Sequence, residues 1–145
     1  MSDRTEIIDV ANAIFEAVDS KEWDAAQAFF ETSVNVDYTS LKGGAPETIS
    51  STELVNGWRK GLHDGRDKTF HLFSNYRVTV NEDTAATVFK GYSFTMHAPE
   101  SGGHLWEVWG DYEMLMRRTQ AGWRVNSISV SASVTRSGPK AVHKP

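Results

Sequence analysis

Cysteine is missing from all 145 residues of the chain. Disulfide bonds, thiolate metal ligands and a cysteine nucleophile are therefore excluded. A chain without cysteine is compatible with a reducing cytosol, and we expect a cytoplasmic protein. The N-terminal segment lacks the apolar run of a signal peptide, and no stretch approaches the length needed to span a membrane. The sequence therefore predicts no membrane association.

The chain also lacks any block of basic residues. Its 15 Lys and Arg residues are outnumbered by 19 Asp and Glu residues, which gives a formal net charge of −4. Nucleic acids and anionic membrane surfaces attract proteins through clustered positive charge. We therefore expect neither as a partner.

Common cofactor and nucleophile motifs are absent as well. Gly43–Gly44 matches neither a dinucleotide-binding fingerprint nor a P-loop, and no Gly-x-Ser-x-Gly elbow occurs. His104 and Glu107 lie three apart, which puts them on opposite faces of a strand, so we expect no metal site there. His63 and His143 are predicted to be surface residues. The sequence predicts no cofactor and no metal.

Bulky apolar residues, by contrast, are plentiful. Hydrophobic residues make up 39% of the chain and include five Trp, seven Phe and four Tyr residues. A chain of this length usually forms one domain, and this bulk suffices for a core and for the walls of a cavity. We expect one domain over residues 1–136, followed by a loose tail over 137–145 that contains Gly, Pro and Lys.

The first half of the chain has the periodicity of helices. Apolar residues recur at helical spacing, and Ser residues stand at positions that cap helices. The predicted elements are a helix to about Ser20, capped by Ser2 or Asp3; a short helix from Trp23 to about Phe30; a brief strand over 35–38; and a helix capped by Ser50, with Glu53 at capping-box spacing.

The second half is rich in β-forming residues. Turn-like segments separate four long predicted strands, Thr69–Asn81, Thr84–Met96, Leu105–Arg118 and Trp123–Thr135. Helices followed by long antiparallel strands form the α+β pattern. Strands of about 12 residues exceed the usual length and must coil strongly. We therefore expect a curved antiparallel or mixed sheet that the helices close into a cone-shaped α+β barrel around a hydrophobic pocket.

Alternation along the strands predicts which side chains face that pocket. His71 shares a face with Phe73, while His97 falls on the inner face of the next strand. A β-bulge would flip such an assignment. The residues predicted to line the pocket are Val18, Phe73, Val108, Gly110, Tyr112, Ile128 and Val130.

Four segments together resemble a known family: Val-Asp-Ser-Lys-Glu-Trp at 18–23, Val-Asn-Val-Asp-Tyr at 34–38, Thr-Phe-His-Leu at 69–72 and Gly-Trp-Arg-Val at 122–125. Over about residues 5–135 the chain resembles the nuclear-transport-factor-2-like superfamily, and within it the SnoaL-like and scytalone dehydratase branch. The resemblance implies dehydration of a small cyclic hydroxyketone or polyketide-like substrate without metal or organic cofactor.

The resemblance also implies roles for four residues. His71 corresponds to the general base and Asp19 to the carboxylate that orients it. Tyr38 corresponds to a tyrosine that polarises the carbonyl through a water, and His97 to a second histidine, which could protonate the leaving hydroxyl. Each has a plainer alternative: a helix cap for Asp19, a core histidine for His71, a wall tyrosine for Tyr38 and an exposed strand end for His97.

Departures from the dehydratase concern the substrate. Val18 replaces a tyrosine, Gly110 and Tyr112 stand where the dehydratase has Ser and Asn, and no aromatic lid follows Thr135. Other functions for the same pocket are therefore polyketide cyclisation, isomerisation, epoxide hydrolysis or small-molecule binding without catalysis. We also expect a homo-oligomer, a trimer or a dimer, with the outward face near Trp109 as a candidate contact.

Overall fold

The computed structural model describes residues 1–140 as helices packed on one mixed sheet. The α-helices are α1 (Asp3–Asp19), α2 (Trp23–Gln27), α3 (Thr39–Lys42) and α4 (Ser51–Gly61). The strands are β1 (Phe30–Asp37), β2 (Glu47–Ser50), β3 (Lys68–Asn81), β4 (Thr84–Met96), β5 (His104–Thr119) and β6 (Gly122–Lys140). A 3-10 turn at Pro99–Ser101 connects β4 to β5.

Both predicted helix caps are confirmed. The Ser2 hydroxyl accepts a hydrogen bond from the Thr5 N–H at 3.2 Å, and the Ser50 hydroxyl accepts one from the Glu53 N–H at 3.1 Å. These bonds satisfy amide groups that have no partner within the first turn of a helix. Local side-chain chemistry therefore fixes where α1 and α4 begin.

The largest differences from the predicted elements lie at strand ends. β1 begins at Phe30 rather than at residue 35, and β2 was not predicted. The predicted loose tail is wrong for residues 137–140, because β6 continues there and pairs Ser137 with Trp106 and Lys140 with His104. The rest of that tail, including His143, lies outside the described residues.

The sheet has the strand order β2-β1-β6-β5-β4-β3. β1 and β6 run parallel, and every other neighbouring pair is antiparallel. The predicted α+β class is confirmed, with the N-terminal helices packed on a curved six-stranded mixed sheet in the manner of a cone. In residues 1–140, no helix is both long and apolar enough to cross a membrane.

The core lies between α1 and the inner face of the sheet. α1 buries one stripe of side chains, among them Ile7, Ile14 and Phe15. The predicted inner face of β5 is confirmed, since its alternate residues Tyr112, Met114 and Met116 are buried against this helix layer. Each large apolar side chain removed from water contributes about 1.5–3 kcal/mol, so this contact anchors α1 over the sheet.

A β-bulge in β3 decides which of its side chains face inward. The pairing with β4 shifts between Ser74 and Arg77, and Asn75 adopts a positive φ of 60°. The extra residue moves Tyr76 onto the inner side, where its ring lies 4.9 Å from that of Phe89. The bulge begins only after His71 and Phe73, so the predicted orientation of His71 is unchanged.

Gly110 serves the sheet rather than the cavity. A Cβ atom at this position would lie 2.6 Å from the carbonyl oxygen of Ser131 and 3.0 Å from the Cα of Ala132, next to a register shift between β5 and β6. Gly110 also pairs directly with Gly91 across β4. Two opposed glycines allow the strands to bend closely over one another, so the prediction that Gly110 lines the pocket is wrong.

We expect Gly110→Ala to lower the free energy of unfolding by about 1–3 kcal/mol, because the added methyl group collides with backbone atoms. Gly57→Ala is the matched control. That position lies within α4, and a Cβ there meets no atom within 4 Å, so alanine should raise stability by about 0.5–1 kcal/mol. Urea denaturation measures the free energy of unfolding of both variants, which should change in opposite directions. Equal effects would contradict the close approach at Gly110.

Candidate active site

A cavity of about 280 Å³ lies between the helices and the inner face of the sheet. Its wall is largely aromatic and aliphatic, with Phe15, Leu41, Trp58, Leu62 and Trp106 among the lining residues. Four of the predicted pocket residues line it, namely Val18, Val108, Tyr112 and Val130. A mostly apolar cavity with a few polar groups is typical of a small-molecule site.

Two further predicted pocket residues do not line the cavity. Ile128 has no exposed surface and belongs to the core. Phe73 lies behind the wall, with its ring 5.1 Å from Phe15 and 4.9 Å from Tyr112. Alternation assigned the correct face to both, but packing density decided which side chains reach the open space.

Asp19 and His71 form a close pair on the cavity wall. Asp19 is the last residue of α1, and its Oδ1 lies 2.7 Å from the His71 Nδ1. The Asp19 Oδ2 accepts the backbone N–H of His71 at 2.9 Å, which fixes the carboxylate on β3. The two side chains are 19% and 13% exposed, respectively. Asp19 is therefore not a cap for α2, and the His71 ring bonds to a carboxylate rather than to a backbone carbonyl.

This pairing determines which ring nitrogen of His71 is available. A carboxylate accepts the proton of Nδ1–H, so the neutral ring carries its lone pair on Nε2. Phe15 packs against the ring with centroids 4.6 Å apart and limits its rotation. The result is an oriented imidazole on the wall of an apolar cavity, in which Nε2 is free of the carboxylate and can accept a proton.

Thr69 and Lys21 extend the network behind the pair. The Thr69 hydroxyl donates to the Asp19 Oδ1 at 2.8 Å and accepts from the Lys21 Nζ at 3.1 Å. Burial lowers the pKa of Lys21, against the opposing attraction of Asp19 and Asp67. The network holds the Asp19 carboxylate in one position. The spacing of these residues in the sequence did not indicate that they form a network.

The hydrogen bonds also control the ionisation of Asp19. Burial by itself would raise the pKa of Asp19, but the bonds from the His71 ring, Thr69 and the His71 backbone outweigh it and hold the pKa below its ordinary value of 3.8. A carboxyl group whose pKa is depressed on folding stabilises the fold above its unfolded pKa, and this contribution disappears as the pH falls through the folded pKa.

We therefore expect a pH-dependent stability difference between the wild type and Asp19→Asn. The wild type should be the more stable at neutral pH, and the difference should shrink as the pH falls below the ordinary Asp value of 3.8. Urea denaturation at a series of pH values from 7 downward measures it. A difference that is constant across this range would contradict the depressed pKa.

Tyr38 and Tyr112 line the same cavity. Burial raises the pKa of Tyr112 to about 12 and raises that of Tyr38 further. Both phenols are therefore protonated at neutral pH and can donate hydrogen bonds. Tyr38 stands directly before α3, between β1 and the helix that carries Leu41 into the wall.

His97 does not line this cavity. It follows the last residue of β4, and its Nδ1 lies 2.9 Å from the Oδ2 of Asp67. The same oxygen lies 2.7 Å from the His63 Nδ1, and the Asp67 Oδ1 accepts the Ala98 N–H at 2.9 Å. The structure therefore separates His97 from the three other predicted catalytic residues, because the strand ends before it.

The cluster of His63, Asp67 and His97 had no clear sequence signal. His63 and Asp67 are four residues apart, but the segment between them is a turn after α4 rather than a helix. His97 is brought to them only by the pairing of β3 with β4. The prediction of His63 as an ordinary surface residue missed its contact with a carboxylate that has no exposed surface.

The comparisons with known proteins concern the family and the fold. A model of the SnoaL-like domain matches residues 1–129. The chain belongs to the SnoaL-like domain family. No curated protein matches the sequence significantly.

Solved structures extend the likeness over nearly the whole fold. The Kfla4162 protein from Kribbella flavida is 26% identical with a TM-score of 0.86, over 92% of this chain and 93% of that one. A LinA Type2 hexachlorocyclohexane dehydrochlorinase is 12% identical with a TM-score of 0.77, over 98% and 93%. A Novosphingobium aromaticivorans protein provisionally named a scytalone dehydratase is 15% identical with a TM-score of 0.76, over 98% and 95%. At the two lower identities the likeness concerns the fold alone.

Proposed function

We propose that this SnoaL-like protein is a lyase that removes water from a small cyclic hydroxyketone or a polyketide-like relative. The observation that carries the proposal is the 2.7 Å contact between the Asp19 carboxylate and the His71 ring on the wall of an apolar cavity. Two neighbours of the same fold bear names of elimination enzymes, a dehydratase and a dehydrochlorinase. An elimination from a hydroxyketone requires a base that removes a proton from carbon.

The first step is proton abstraction beside the carbonyl. The His71 Nε2 takes a proton from the carbon next to the substrate carbonyl. The electron pair of that C–H bond forms the carbon–carbon double bond of an enolate, and the π pair of the carbonyl moves onto its oxygen. Asp19 stabilises the imidazolium that forms, since its carboxylate faces the other ring nitrogen. Tyr38 and Tyr112 donate hydrogen bonds to the developing enolate oxygen, directly or through water.

The second step expels the hydroxyl group. The carbonyl re-forms from the enolate oxygen, and the enolate π pair forms a new double bond between the α and β carbons. The C–O bond to the β-hydroxyl breaks, and its electron pair leaves with the hydroxyl oxygen. Because His97 is engaged with Asp67 away from the cavity, we assign the proton for the leaving oxygen to the His71 imidazolium. One base then serves both steps, which requires the proton and the hydroxyl to leave from the same face of the ring.

The aromatic lining and the small volume of the cavity favour a flat ring. Phe15, Trp58, Trp106 and Tyr112 are among the residues that line a volume of about 280 Å³. Such a volume favours a compact one- or two-ring substrate over a long chain. Aromatic walls favour planar, apolar ligands through stacking and edge contacts. The polar end of the substrate carbonyl would face Tyr38.

Product analysis tests the proposal. The protein is incubated with a panel of cyclic β-hydroxyketones, and products are identified by mass spectrometry and NMR. We expect loss of one water molecule to give the conjugated ketone. Ring closure without a change of mass would instead support a cyclase, and addition of water to an epoxide panel would support a hydrolase. Saturable binding of the hydroxyketones without any turnover would support a binding module.

We also propose that the protein forms a homo-oligomer through the outer face of the sheet. Phe70, Leu72 and Val134 are 47%, 56% and 55% exposed, and Phe70 stacks on Phe94 with centroids 5.8 Å apart. Large exposed apolar side chains that lie together on one face are typical of subunit contacts. Light scattering should give the mass of a dimer or trimer, and Leu72→Lys should lower this mass; a monomeric wild type would contradict the proposal.

The cytoplasmic location stays a prediction.

A further inference from the structure

A second cluster of chemically active side chains lies outside the cavity. His63 in the turn after α4, Asp67 before β3 and His97 after β4 present three ligand atoms within 4.8 Å of one another. The Asp67 Oδ2 lies 2.7 Å from the His63 Nδ1 and 2.9 Å from the His97 Nδ1. The proposed elimination uses none of these groups, so the cluster requires an explanation of its own.

The carboxylate of this cluster is held rigidly. Asp67 has no exposed surface, and the Ala98 N–H donates to its Oδ1 at 2.9 Å. The Asp67 N–H in turn donates to the Leu62 carbonyl at 3.2 Å. With one oxygen fixed by the backbone, the other is directed at the two imidazoles. A supporting hydrogen bond of this kind is what orients carboxylate ligands in metal sites.

The turn that carries His63 has an unusual backbone. His63 and Asp64 adopt φ angles of 53° and 57°, in the left-handed region that residues with a side chain enter reluctantly. Two consecutive residues of this kind aim the His63 ring at Asp67 instead of continuing α4. Backbone conformations of this cost occur preferentially where a site requires them.

We propose that His63 Nδ1, His97 Nδ1 and Asp67 Oδ2 bind a divalent first-row transition metal ion, with zinc as the reference ion. Two imidazole nitrogens and one carboxylate oxygen form a donor set that such ions prefer. The imidazole side chains are 43% and 30% exposed, so an ion can enter from solvent and retain water at its remaining positions. The site contains no thiolate, since the chain has no cysteine.

The bound ion would join two segments at the edge of the cavity. One is the turn between α4 and β3, where Leu62 lines the cavity, and the other is the connection between β4 and β5, close to Trp106 of the same wall. Metal binding would therefore stiffen the cavity rim. This proposal does not depend on the elimination reaction, because it concerns residues that do not touch the cavity.

The metal site differs from a plain hydrogen-bonded anchor in the position of two protons. Without metal, each neutral ring donates Nδ1–H to Asp67, so the protons lie on Nδ1. Metal binding requires the lone pair of Nδ1, so each proton must move to Nε2 of the same ring. The tautomer of His63 and His97 therefore reports directly on the proposed ligands.

The experiment uses the untagged full chain, stripped with a chelator and titrated with Zn²⁺ in a calorimeter. We expect one ion per chain, a rise in the melting temperature, and a switch of both histidines from Nδ1–H to Nε2–H in long-range ¹H–¹⁵N spectra. His63→Asn removes one ligand while keeping a residue that tolerates the left-handed backbone. It should weaken Zn²⁺ affinity by at least about 100-fold, beyond the usual loss from removing a supporting group.

His71→Asn is the matched control, because it removes a histidine paired with a carboxylate outside the cluster. Its Zn²⁺ affinity should equal that of the wild type. If the tautomers of His63 and His97 remain Nδ1–H at saturating Zn²⁺, or if His63→Asn binds as tightly as the wild type, the cluster is a structural anchor and the metal proposal is wrong. Loss of binding only in His71→Asn would overturn it as well.

Discussion

His71→Asn should abolish most of the turnover of the protein, with kcat lowered by about 10²–10⁴-fold, the usual contribution of a positioned general base. Asparagine keeps a similar size and can still bond to Asp19, but it has no nitrogen lone pair that can accept a proton from carbon. The variant should fold normally, since the His71 backbone N–H that Asp19 accepts is retained. The effect should therefore appear in the rate rather than in stability.

Exchange of the substrate C–H with solvent deuterium provides the most direct measurement. Proton abstraction alone replaces the hydrogen next to the carbonyl by deuterium, so NMR in D₂O detects the first step even for cyclic ketones that carry no leaving group. Wild-type protein should catalyse this exchange, and His71→Asn should not. Asp19→Asn should slow the exchange too, because the His71 ring loses the carboxylate that orients it and stabilises the imidazolium form.

His104→Asn is the control for this series. His104 is an exposed histidine at the start of β5 and does not line the cavity. Its replacement should leave exchange unchanged. Equal exchange by the wild type and His71→Asn would refute the proposed base. Absence of exchange from the wild type over the full ketone panel would leave the cavity as a binding site, in agreement with the non-catalytic alternative.

Asp67→Ala should be the most destabilising substitution of a charged residue among those considered, lowering the free energy of unfolding by about 2–4 kcal/mol in chelator-treated protein. Its carboxylate has no exposed surface and accepts N–H bonds from Ala98, His63 and His97. The half-exposed rings can turn to water after the substitution, but the Ala98 N–H loses its partner in a buried position. Two of these contacts, from His97 and Ala98, also tie the α4–β3 turn to the β4–β5 connection.

Urea denaturation at pH 7 measures this effect, and Asp9→Ala is the control. Asp9 is exposed on α1, where a surface substitution should change stability by less than about 0.5 kcal/mol. A similar small change for Asp67→Ala would mean that the buried carboxylate contributes little to stability. The Asp67→Ala variant should retain the Asp19–His71 pair, so hydroxyketone binding in the cavity separates a local loss of stability from general unfolding.

The comparison of expected and observed elements follows a physical pattern. The start of α4 at Ser51 and the bounds of β4, Thr84–Met96, were predicted well because capping and alternation are local properties. Strand ends were predicted poorly, since β1 and β6 are extended by pairing with distant strands rather than by their own sequence. β2 exists only because Glu47–Ser50 pairs with β1.

The same distinction between local and long-range effects applies to the residues of the site. Asp19 and His71 are 52 positions apart, and only their family resemblance suggested that they meet. Val108, Tyr112 and Val130 were expected in the cavity from alternation, and they line it. Alternation assigned Gly110 to the correct face, but Gly110 does not line the cavity. The close approach of Ser131 to its backbone depends on the register between β5 and β6.

By itself, the sequence determined the α+β class, the caps of the main helices and the absence of thiol chemistry, because residue composition and short-range periodicity suffice for these. The tertiary structure alone decided that His97 bonds to Asp67 instead of facing the cavity, and that His63 joins them. Strand register, bulges and the point at which β4 ends set these contacts, and they depend on hydrogen bonds between segments far apart in the chain.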